Sequence, residues 1–457
     1  RLGTLRSNRT RRGFFRTRSM ASFYFLMFAG VKVIASFVCF NDAVPEEERQ
    51  NLTTGADSYP LGIWVPNWAS SRLTNAIVNI LVSEKMGYNT QVTTGPGTTD
   101  QFYAMLGCET PTNLDDGGCG SQETYYHLSA EGWTISYHKL WTDIQENYPL
   151  TAPVNLGSVG YTGVEGQYVQ TEILDSAYLK EGLALDYFRG FDARWHNPVE
   201  YFHPISAMNL SALDVLPCAE TRLSSPVEME QYVEVTGDLE GVTLNSTSGV
   251  YVGRCFYGHF WLPPPCRQNE SMCFLHITAG TGFAMQSSMQ RATLFHIPMA
   301  IAVAKDAAAY AAFPTEFALT FYWWAPDPTF LALNTQKVAF PFYDGETHQR
   351  GDVTSGAPVV TLEKYASYNL QTLAPRAYEF MWNFQISTGV VNSLMLDEVT
   401  SRASPTEVAC RWLQNNEDVW QKWLPDPTKC FQHFGLHDGS SFVENRDDPT
   451  GLHCTAC

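Results

Sequence analysis

The stretch Leu319-Thr-Phe-Tyr-Trp-Trp-Ala-Pro-Asp-Pro328 decides both the fold and the candidate function. An apolar, β-prone run ends there in two adjacent tryptophans, a proline-flanked turn and Asp327. Large aromatics at the carboxyl tip of a strand face a crevice, which is where open α/β sheets bind ligands. Flat indole faces attract a bulky cation such as a quaternary ammonium. Trp68 and Trp133 lie in similar contexts far upstream, so we expect them to meet Trp324 around one small cationic ligand.

The segments around this stretch alternate between strand and helix patterns. Leu61-Gly-Ile-Trp-Val65 predicts a strand, and the residues after Trp68 have the apolar spacing of a helix. The stretch 289–313 is predicted to be helical, and Ser404-Pro-Thr-Glu407 is a capping box at the start of a C-terminal helix. This alternation predicts an α/β class with a mostly parallel sheet. A chain of 457 residues is longer than one core usually holds, so we expect two lobes with a hinge between them.

Composition divides the chain into five consecutive parts. They are a basic, signal-like leader (1–41), the first part of lobe 1 (58–165), lobe 2 with a cysteine-bearing insert at 206–280 (166–324), the second part of lobe 1 with the C-terminal helices (325–428), and a cysteine-containing tail (429–457). The tail stops inside what can be the first turn of a small cysteine-rich module. The chain is therefore compatible with the extracellular part of a longer receptor.

The leader and the charge balance indicate where the protein works. Residues 1–19 carry seven arginines and no acid, and an apolar run interrupted by Lys32 follows from Met20. This order predicts a secretory signal near residues 20–41, although an N-terminal membrane anchor is compatible with the same run. The net charge of −18 disfavours a nucleic-acid partner. We therefore expect a protein that is secreted or lies on the extracellular face of a membrane.

Eleven cysteines, and four glycosylation triplets after the leader, fit an extracellular location. With Cys39 assigned to the leader, ten cysteines remain. Short spacings suggest the pairs Cys108–Cys119 and Cys266–Cys273, and elimination then leaves Cys218–Cys255 and Cys410–Cys430, although sequence alone does not fix the pairing. Possible N-glycosylation sites are Asn51, Asn209, Asn245 and Asn269.

Motifs of catalysis and metal binding are absent from the sequence. It contains no His-Glu-x-x-His, no Gly-x-Ser-x-Gly and no phosphate-binding loop. His196 and His203 near Glu200 are the nearest approach to a metal cluster, and such a grouping is more often ordinary polar structure. Cys454 and Cys457 are better explained as disulfide partners than as a zinc pair. We expect no enzyme activity, no cofactor and no metal.

Four blocks of the chain resemble one known family, the type II solute-binding proteins of glycine betaine, choline and proline betaine ABC importers. The blocks are Gly62 to Gly87, Glu131-Gly-Trp133, Gly280 to Trp324, and Pro375 to Leu424 with its closing Ala-x-x-Trp-Leu and Val-Trp-x-x-Trp-Leu pattern. The resemblance implies a two-lobed type II periplasmic-binding-protein-like fold that encloses its ligand. It also implies an aromatic cage around a trimethylammonium group, with Trp68, Trp133 and Trp324 at the matching positions.

The chain departs from the family pattern at the tip of the strand and in the insert. Betaine binders often carry a histidine after the Trp-x-Pro tip, and here Asp327 takes its place. A carboxylate repels another carboxylate, so this residue favours choline over betaine, or else it is a helix cap or a solvated acid. The turn Gly280-Thr-Gly282 either offers backbone N–H groups to a polar end of the ligand or is a mere tight turn. The three tryptophans can also be ordinary core residues.

These observations predict a binding protein for a small quaternary ammonium solute. Its partners would be the cationic solute and an ABC transporter, or the membrane portion of a receptor if binding serves sensing. The alternative is a secreted carbohydrate-binding protein or glycoside hydrolase, in which the same aromatics stack on sugar rings. A hydrolase needs paired carboxylates beside the cleft, and the sequence shows no pair with convincing spacing.

Overall fold

The computed structural model describes residues 37–108, 110, 118–120, 123–246, 248–280, 282–328 and 333–426, and the backbone of two short strands within 435–444. Most of the leader and of the tail, including Cys430, Cys454 and Cys457, lies outside these ranges. Within them, no helix is both long and apolar enough to cross a membrane.

Strands and helices alternate along most of the chain. The strands are β1 (Leu52–Thr54), β2 (Asp57–Tyr59), β3 (Leu61–Pro66), β4 (Thr90–Gly95), β5 (Leu128–Gly132), β6 (Val154–Gln170), β7 (Val242–Leu244), β8 (Tyr251–Gly253), β9 (Phe274–Thr278), β10 (Met299–Val303), β11 (Thr320–Ala325), β12 (Thr335–Lys337), β13 (Val359–Ala366), β14 (Gly435–His437) and β15 (Phe442–Glu444). The helices are α1 (Ala69–Ile80), α2 (Thr98–Met105), α3 (His138–Asn147), α4 (Thr171–Glu181), α5 (Pro226–Thr236), α6 (Pro264–Gln268), α7 (Met285–Leu294), α8 (Ala307–Glu316), α9 (Gly345–Gln349), α10 (Leu370–Leu373), α11 (Pro375–Asn383), α12 (Thr388–Ser401), α13 (Pro405–Asn415) and α14 (Glu417–Trp420).

Nine strands form one mixed sheet that organises the molecule. Its order is β10-β9-β11-β6-β13-β5-β3-β4, with β12 paired to β6. The outer groups β10-β9-β11 and β5-β3-β4 are parallel, whereas β6 and β13 run antiparallel to their neighbours. The long strand β6 pairs with β13 through its first part and with β11 through its last part, so it passes from one half of the sheet to the other. The predicted α/β class with mostly parallel strands in each half is confirmed.

Each half of the sheet has its own apolar core. The first core packs α1 and the helices α11–α13 against β3, β5 and β13. In the second half, strand β10 turns Met299, Ile301 and Val303 to one core and Ala300 and Ala302 to another on the opposite face. Burial on both faces explains why β10 is a continuous apolar run, as strands of parallel sheets usually are.

The prediction of one helical stretch over 289–313 is wrong. Helix α7 ends at Leu294, β10 occupies Met299–Val303, and α8 begins only at Ala307. A short apolar run without polar positions carries no periodicity, so a strand buried on both faces cannot be separated from a helix by pattern alone. The capping box at Ser404 and Glu407 is present as predicted.

Three predicted disulfides are present and one is corrected. The pairs Cys108–Cys119, Cys218–Cys255 and Cys266–Cys273 form as expected, but Cys410 bonds Cys39 rather than Cys430. Glu84 accepts the backbone N–H groups of Cys39 and Phe40, each at 2.9 Å, and this fixes the segment beside α1. Gln414 on α13 donates to the carbonyl of Cys39 at 2.8 Å. Cys39 is therefore joined to the folded unit by a disulfide and by hydrogen bonds.

Candidate functional site

A cavity of ≈ 300 Å³ of empty volume lies at the carboxyl ends of β3, β5 and β11. The lining residues are Trp68, Thr98, Trp133, Tyr137, Glu165, Phe283, Tyr322 and Trp324. We call this the aromatic cavity. It contains all three tryptophans that the sequence predicts to converge, from positions more than 250 residues apart in the chain. A cavity lined by aromatic side chains with a few polar groups is a typical setting for a small solute.

Strand direction explains why the three indoles meet. Trp68 is the N-cap residue of α1 just after β3, and Trp133 follows the last residue of β5 directly. Because β3 and β5 are parallel, their carboxyl ends lie at one edge of the sheet. Trp324 lies near the end of β11 in the other half. The cavity is therefore bounded by both halves of the sheet.

Glu131 fixes the two indoles of the first half. Its side chain is fully buried. Oε1 accepts hydrogen bonds from Trp68 Nε1 at 2.5 Å, Trp133 Nε1 at 3.3 Å and Ser70 Oγ at 3.1 Å. Oε2 accepts from the hydroxyl of Tyr161. Burial raises the pKa of Glu131, and these hydrogen bonds oppose that rise by stabilising the carboxylate.

Aromatic contacts hold the remaining walls. Phe283 meets Trp68 edge to face, with ring centroids 6.4 Å apart, and meets Trp324 in the same way at 5.9 Å. Trp133 lies over the backbone of Gly163, where a Cβ would come within 2.3 Å of the ring. This close approach requires glycine at position 163. The indoles are thus held by packing from several elements, which fixes their orientation before any ligand enters.

Glu165 supplies a carboxylate to the aromatic cavity. It lies on β6 directly opposite Trp324 on β11 and accepts a hydrogen bond from the hydroxyl of Tyr322. Within the described residues, no lysine, arginine or histidine makes a salt bridge with it. A carboxylate beside indole faces complements a cation. This role could not be predicted from the sequence, because Glu165 lies in a glycine-rich strand and reaches the cavity through the register between β6 and β11.

The other two predicted residues are not part of this cavity. Asp327 follows the cis peptide bond Ala325–Pro326 and does not line the aromatic cavity. Gly282 lines a neighbouring cavity, adopts φ +118°, and donates its N–H to the carbonyl of Ala279 at 3.0 Å. Its amide is therefore engaged within the turn.

Trp64 and Trp323, the tryptophans that strand alternation assigns to other faces, are buried away from the aromatic cavity. The histidines near residue 200 do not assemble a metal site either. Glu200 pairs with Lys180 at 2.9 Å, and His203 accepts a backbone hydrogen bond from Ala318. No group of three potential metal ligands occurs in the part of the chain that the structure describes.

A family model supports the resemblance seen in the sequence. Residues 280–415, less than a third of the chain, match the substrate binding domain of ABC-type glycine betaine transport system. The matched segment contains Phe283, Tyr322 and Trp324. The matched family consists of substrate-binding domains and not of enzymes, as the sequence predicted. No curated protein matches the chain in sequence.

Several solved structures resemble the chain at low similarity. A glycine betaine, L-proline ABC transporter binding protein (ProX) from Borrelia burgdorferi has 13% identity and TM-score 0.43, with 80% of this chain and 97% of that chain covered. Lactococcal OpuAC complexed with glycine betaine has 12% identity and TM-score 0.42, with coverage of 80% and 99%. An ABC-transporter choline binding protein in complex with choline has 11% identity and TM-score 0.45, with coverage of 79% and 90%. These scores are too low to support an argument about binding.

Proposed function

We propose that the protein binds a small quaternary ammonium solute, of the choline or glycine betaine type, in the aromatic cavity. The observation that carries the proposal is the convergence of Trp68, Trp133 and Trp324 on one small cavity that also holds Glu165. The match to a glycine betaine transport family supports it independently. The protein would deliver its solute to an ABC transporter or, as part of a receptor, report its presence.

Several interactions favour binding of a cation in the aromatic cavity. A cation over an indole face gains about 0.5–2 kcal/mol per ring, and more when water is excluded. Burial of three N-methyl groups adds roughly 0.8 kcal/mol for each buried carbon. The attraction of Glu165 adds to these contributions, and together they act against the cost of association.

Glu165 favours choline over glycine betaine. A ligand with its ammonium among the indoles has its next few atoms near Glu165, because this residue lines the same cavity. The hydroxyl of choline can donate a hydrogen bond to a carboxylate, whereas the carboxylate of glycine betaine is repelled by it. The sequence assigned this discrimination to Asp327, and we propose that Glu165 performs it.

We propose that the two halves of the sheet act as lobes that close on the solute. Residues 58–165 and the C-terminal helices to 428 would form lobe 1, and 166–324 would form lobe 2, with β6 and β13 at the hinge. Val338 packs in the second core, so we place the segment around β12 with lobe 2. Asp100 on α2 and Arg222 in the insert approach to 3.9 Å and would join the lobes in the closed state.

We also propose that the protein is an extracellular glycoprotein. Four disulfides are typical of oxidising compartments. The asparagines of the four glycosylation triplets after the leader are exposed, which oligosaccharide attachment requires: Asn51, Asn209, Asn245 and Asn269.

A sugar-hydrolysing function fits the aromatic cavity less well. Hydrolysis needs two carboxylates about 5–9.5 Å apart across the scissile bond. Of the residues described as lining the aromatic cavity, Glu165 alone carries a carboxylate, and Glu131 behind the wall already accepts four hydrogen bonds. These two glutamates therefore do not provide the free acid and the free base that hydrolysis requires.

Isothermal titration calorimetry with choline, glycine betaine and neutral sugars tests the proposal. We expect choline to bind, and Trp68→Ala and Trp324→Ala each to weaken it at least about tenfold, or 1.4 kcal/mol. Trp195→Ala is the matched control, because Trp195 is 76% exposed and does not line the cavity. Sugar binding that survives both cage substitutions, without choline binding, would overturn the proposal.

A further inference from the structure

Of the two edges of the nine-stranded sheet, only one is covered by residues that the structure describes. Strand β10 forms this edge, and the insert covers it. Trp261 and Ile301 exchange backbone hydrogen bonds of 2.9 Å, and Leu216 donates to the carbonyl of Val303 at 2.8 Å. Strand β4 forms the other edge, and within the described residues it pairs only with β3. An open edge strand offers its unpaired backbone groups to another strand.

Alternate residues of β4 direct their backbone groups to the open side. Leu61 donates to the carbonyl of Asn89 at 2.8 Å, and Asn67 donates to the carbonyl of Gly95 at 2.9 Å. Because the backbone groups of successive residues in a strand point to opposite sides, the residues of odd number between these two also face β3. The residues of even number therefore point away from the sheet: Thr90, Val92 and Thr94. No hydrogen bond joins these three to any described residue outside β3.

Strand β4 lacks the features that usually prevent an edge strand from pairing. Proteins protect such edges with charged side chains, prolines or bulges. Residues 86–99 contain no charged residue in a chain of net charge −18, and Thr90–Gly95 contains no proline. The register of β4 on β3 runs without a bulge, and the side chain of Val92 is 48% exposed. An identical strand can therefore approach β4 without the repulsion between like charges that an acidic chain otherwise exerts on its copy.

We propose that β4 pairs antiparallel with β4 of a second copy of this chain, across a twofold axis at Val92. In this register Val92 lies opposite the partner's Val92, and Thr90 lies opposite the partner's Thr94. Each opposed pair exchanges two N–H···O=C hydrogen bonds, so all the outward backbone groups of β4 find partners. Valine and threonine are also favoured in cross-strand pairs. A twofold contact is closed, so the product is a dimer and not a filament. The dimer does not depend on which solute the aromatic cavity binds.

Analytical ultracentrifugation of the unchanged protein tests whether the dimer forms. We expect the mass to rise from that of one chain towards that of two, with a dissociation constant below about 100 μM. A protein that stays monomeric at that concentration overturns the proposal. Assembly beyond the dimer overturns it as well, because a twofold pairing of edge strands leaves no further β4 edge open.

Hydrogen exchange shows whether the dimer forms through β4. In the dimer, the amides of Thr90, Val92 and Thr94 should exchange at least about tenfold more slowly than in dilute protein. The amides of Gln91 and Thr93 should be protected at both concentrations, because they face β3. A dimer without this change forms through another surface and refutes the assignment. Equal protection of the outward amides in dilute protein means that another segment of the same chain covers the edge, and this result also refutes it.

A pair of lysine variants assigns the contact to one strand. Val92→Lys should raise the dissociation constant of the dimer at least about tenfold, because two ammonium groups then face each other across the twofold axis. Val359→Lys is the matched control, because Val359 is a 69% exposed valine on β13, which lies inside the sheet. The control should leave the dissociation constant unchanged. An unaffected dimer in Val92→Lys, or equal weakening in both variants, would contradict the proposal, and hydrogen exchange on the unchanged protein stays decisive if a variant does not fold.

Discussion

Replacement of Glu131 by glutamine tests how the site holds a cation. Glu131 accepts four hydrogen bonds, two of them from cage indoles. Glutamine keeps the shape and one acceptor oxygen, which can serve Trp68, Trp133 and Ser70. The Tyr161 hydroxyl can turn and accept from the new amide. The indoles therefore stay in place while the negative charge behind them is removed.

The hydrogen bonds of Glu131 determine the expected changes in stability and in choline affinity. Three bonds to a charged acceptor become bonds to a neutral one, at a cost of about 1 kcal/mol each, partly offset because no charge is then buried. We expect a loss of about 1–3 kcal/mol in the free energy of unfolding. The bound cation also loses the attraction of a unit negative charge. At a separation of roughly 10 Å and an effective dielectric constant of about 20, this loss weakens the binding free energy by about 1.7 kcal/mol. Choline affinity should then fall about tenfold to twentyfold.

The assay compares choline with its neutral isostere 3,3-dimethylbutan-1-ol, in which carbon replaces nitrogen. Calorimetry on Glu131→Gln should show the fall for choline and little change for the isostere. Glu84→Gln is the matched control, because Glu84 is a buried carboxylate that accepts the backbone N–H groups of Cys39 and Phe40 and does not line the cavity. Equal losses for choline and the isostere, or equal losses in both variants, would show that the charge of Glu131 does not act on the ligand.

Three further predictions concern selectivity, pH and the disulfide framework. Glu165→Gln should lower the affinity for choline about tenfold and raise the affinity for glycine betaine relative to that for choline. An unchanged ratio of the two affinities, measured by calorimetry, would refute the selectivity argument. Burial lowers the pKa of His276 to about 3, so the unfolded chain binds more protons than the folded chain below about pH 6.5. The free energy of unfolding should therefore fall as the pH drops, by roughly 3 kcal/mol at pH 4.5. Urea titrations of His276→Gln at pH 7 and pH 4.5 should show a smaller fall than the unchanged protein, and an identical fall would contradict this role of His276. The Cys39–Cys410 disulfide closes a loop with a sequence separation of 371, and replacing both cysteines by serine should lower the free energy of unfolding by at most roughly 5 kcal/mol. Peptide mapping of the unreduced, unchanged protein should recover Cys39 linked to Cys410. Recovery of Cys410 linked to another cysteine would contradict the assignment.

Local patterns predicted those elements whose signals are short in range. The strand from Leu61, helix α1 and the capping box at Ser404 follow from apolar spacing and from capping chemistry, and each has its signal within a few residues. The rule that open α/β sheets bind ligands at the carboxyl ends of their strands also predicted that Trp68 and Trp324 face a common space. The rule works because it depends on strand direction, which the alternation of strands and helices already indicates.

The remaining features depend on long-range pairing. Strand β10 is buried on both faces, so its sequence has no polar positions to reveal a period of two. Glu165 reaches the aromatic cavity because the register of β6 on β11 places it opposite Trp324. Cys39 bonds Cys410 because Glu84 and Gln414 fix the segment before α1. No local pattern predicts a register or a contact between distant segments.

The most direct test of the central claim is a nuclear Overhauser measurement on the protein with bound choline. The account predicts contacts between the N-methyl protons of choline and the indole ring protons of Trp68, Trp133 and Trp324, which line one cavity. Signals from Trp195, which is largely exposed, should show none. Bound choline whose methyl protons contact none of the three indoles would contradict the claim.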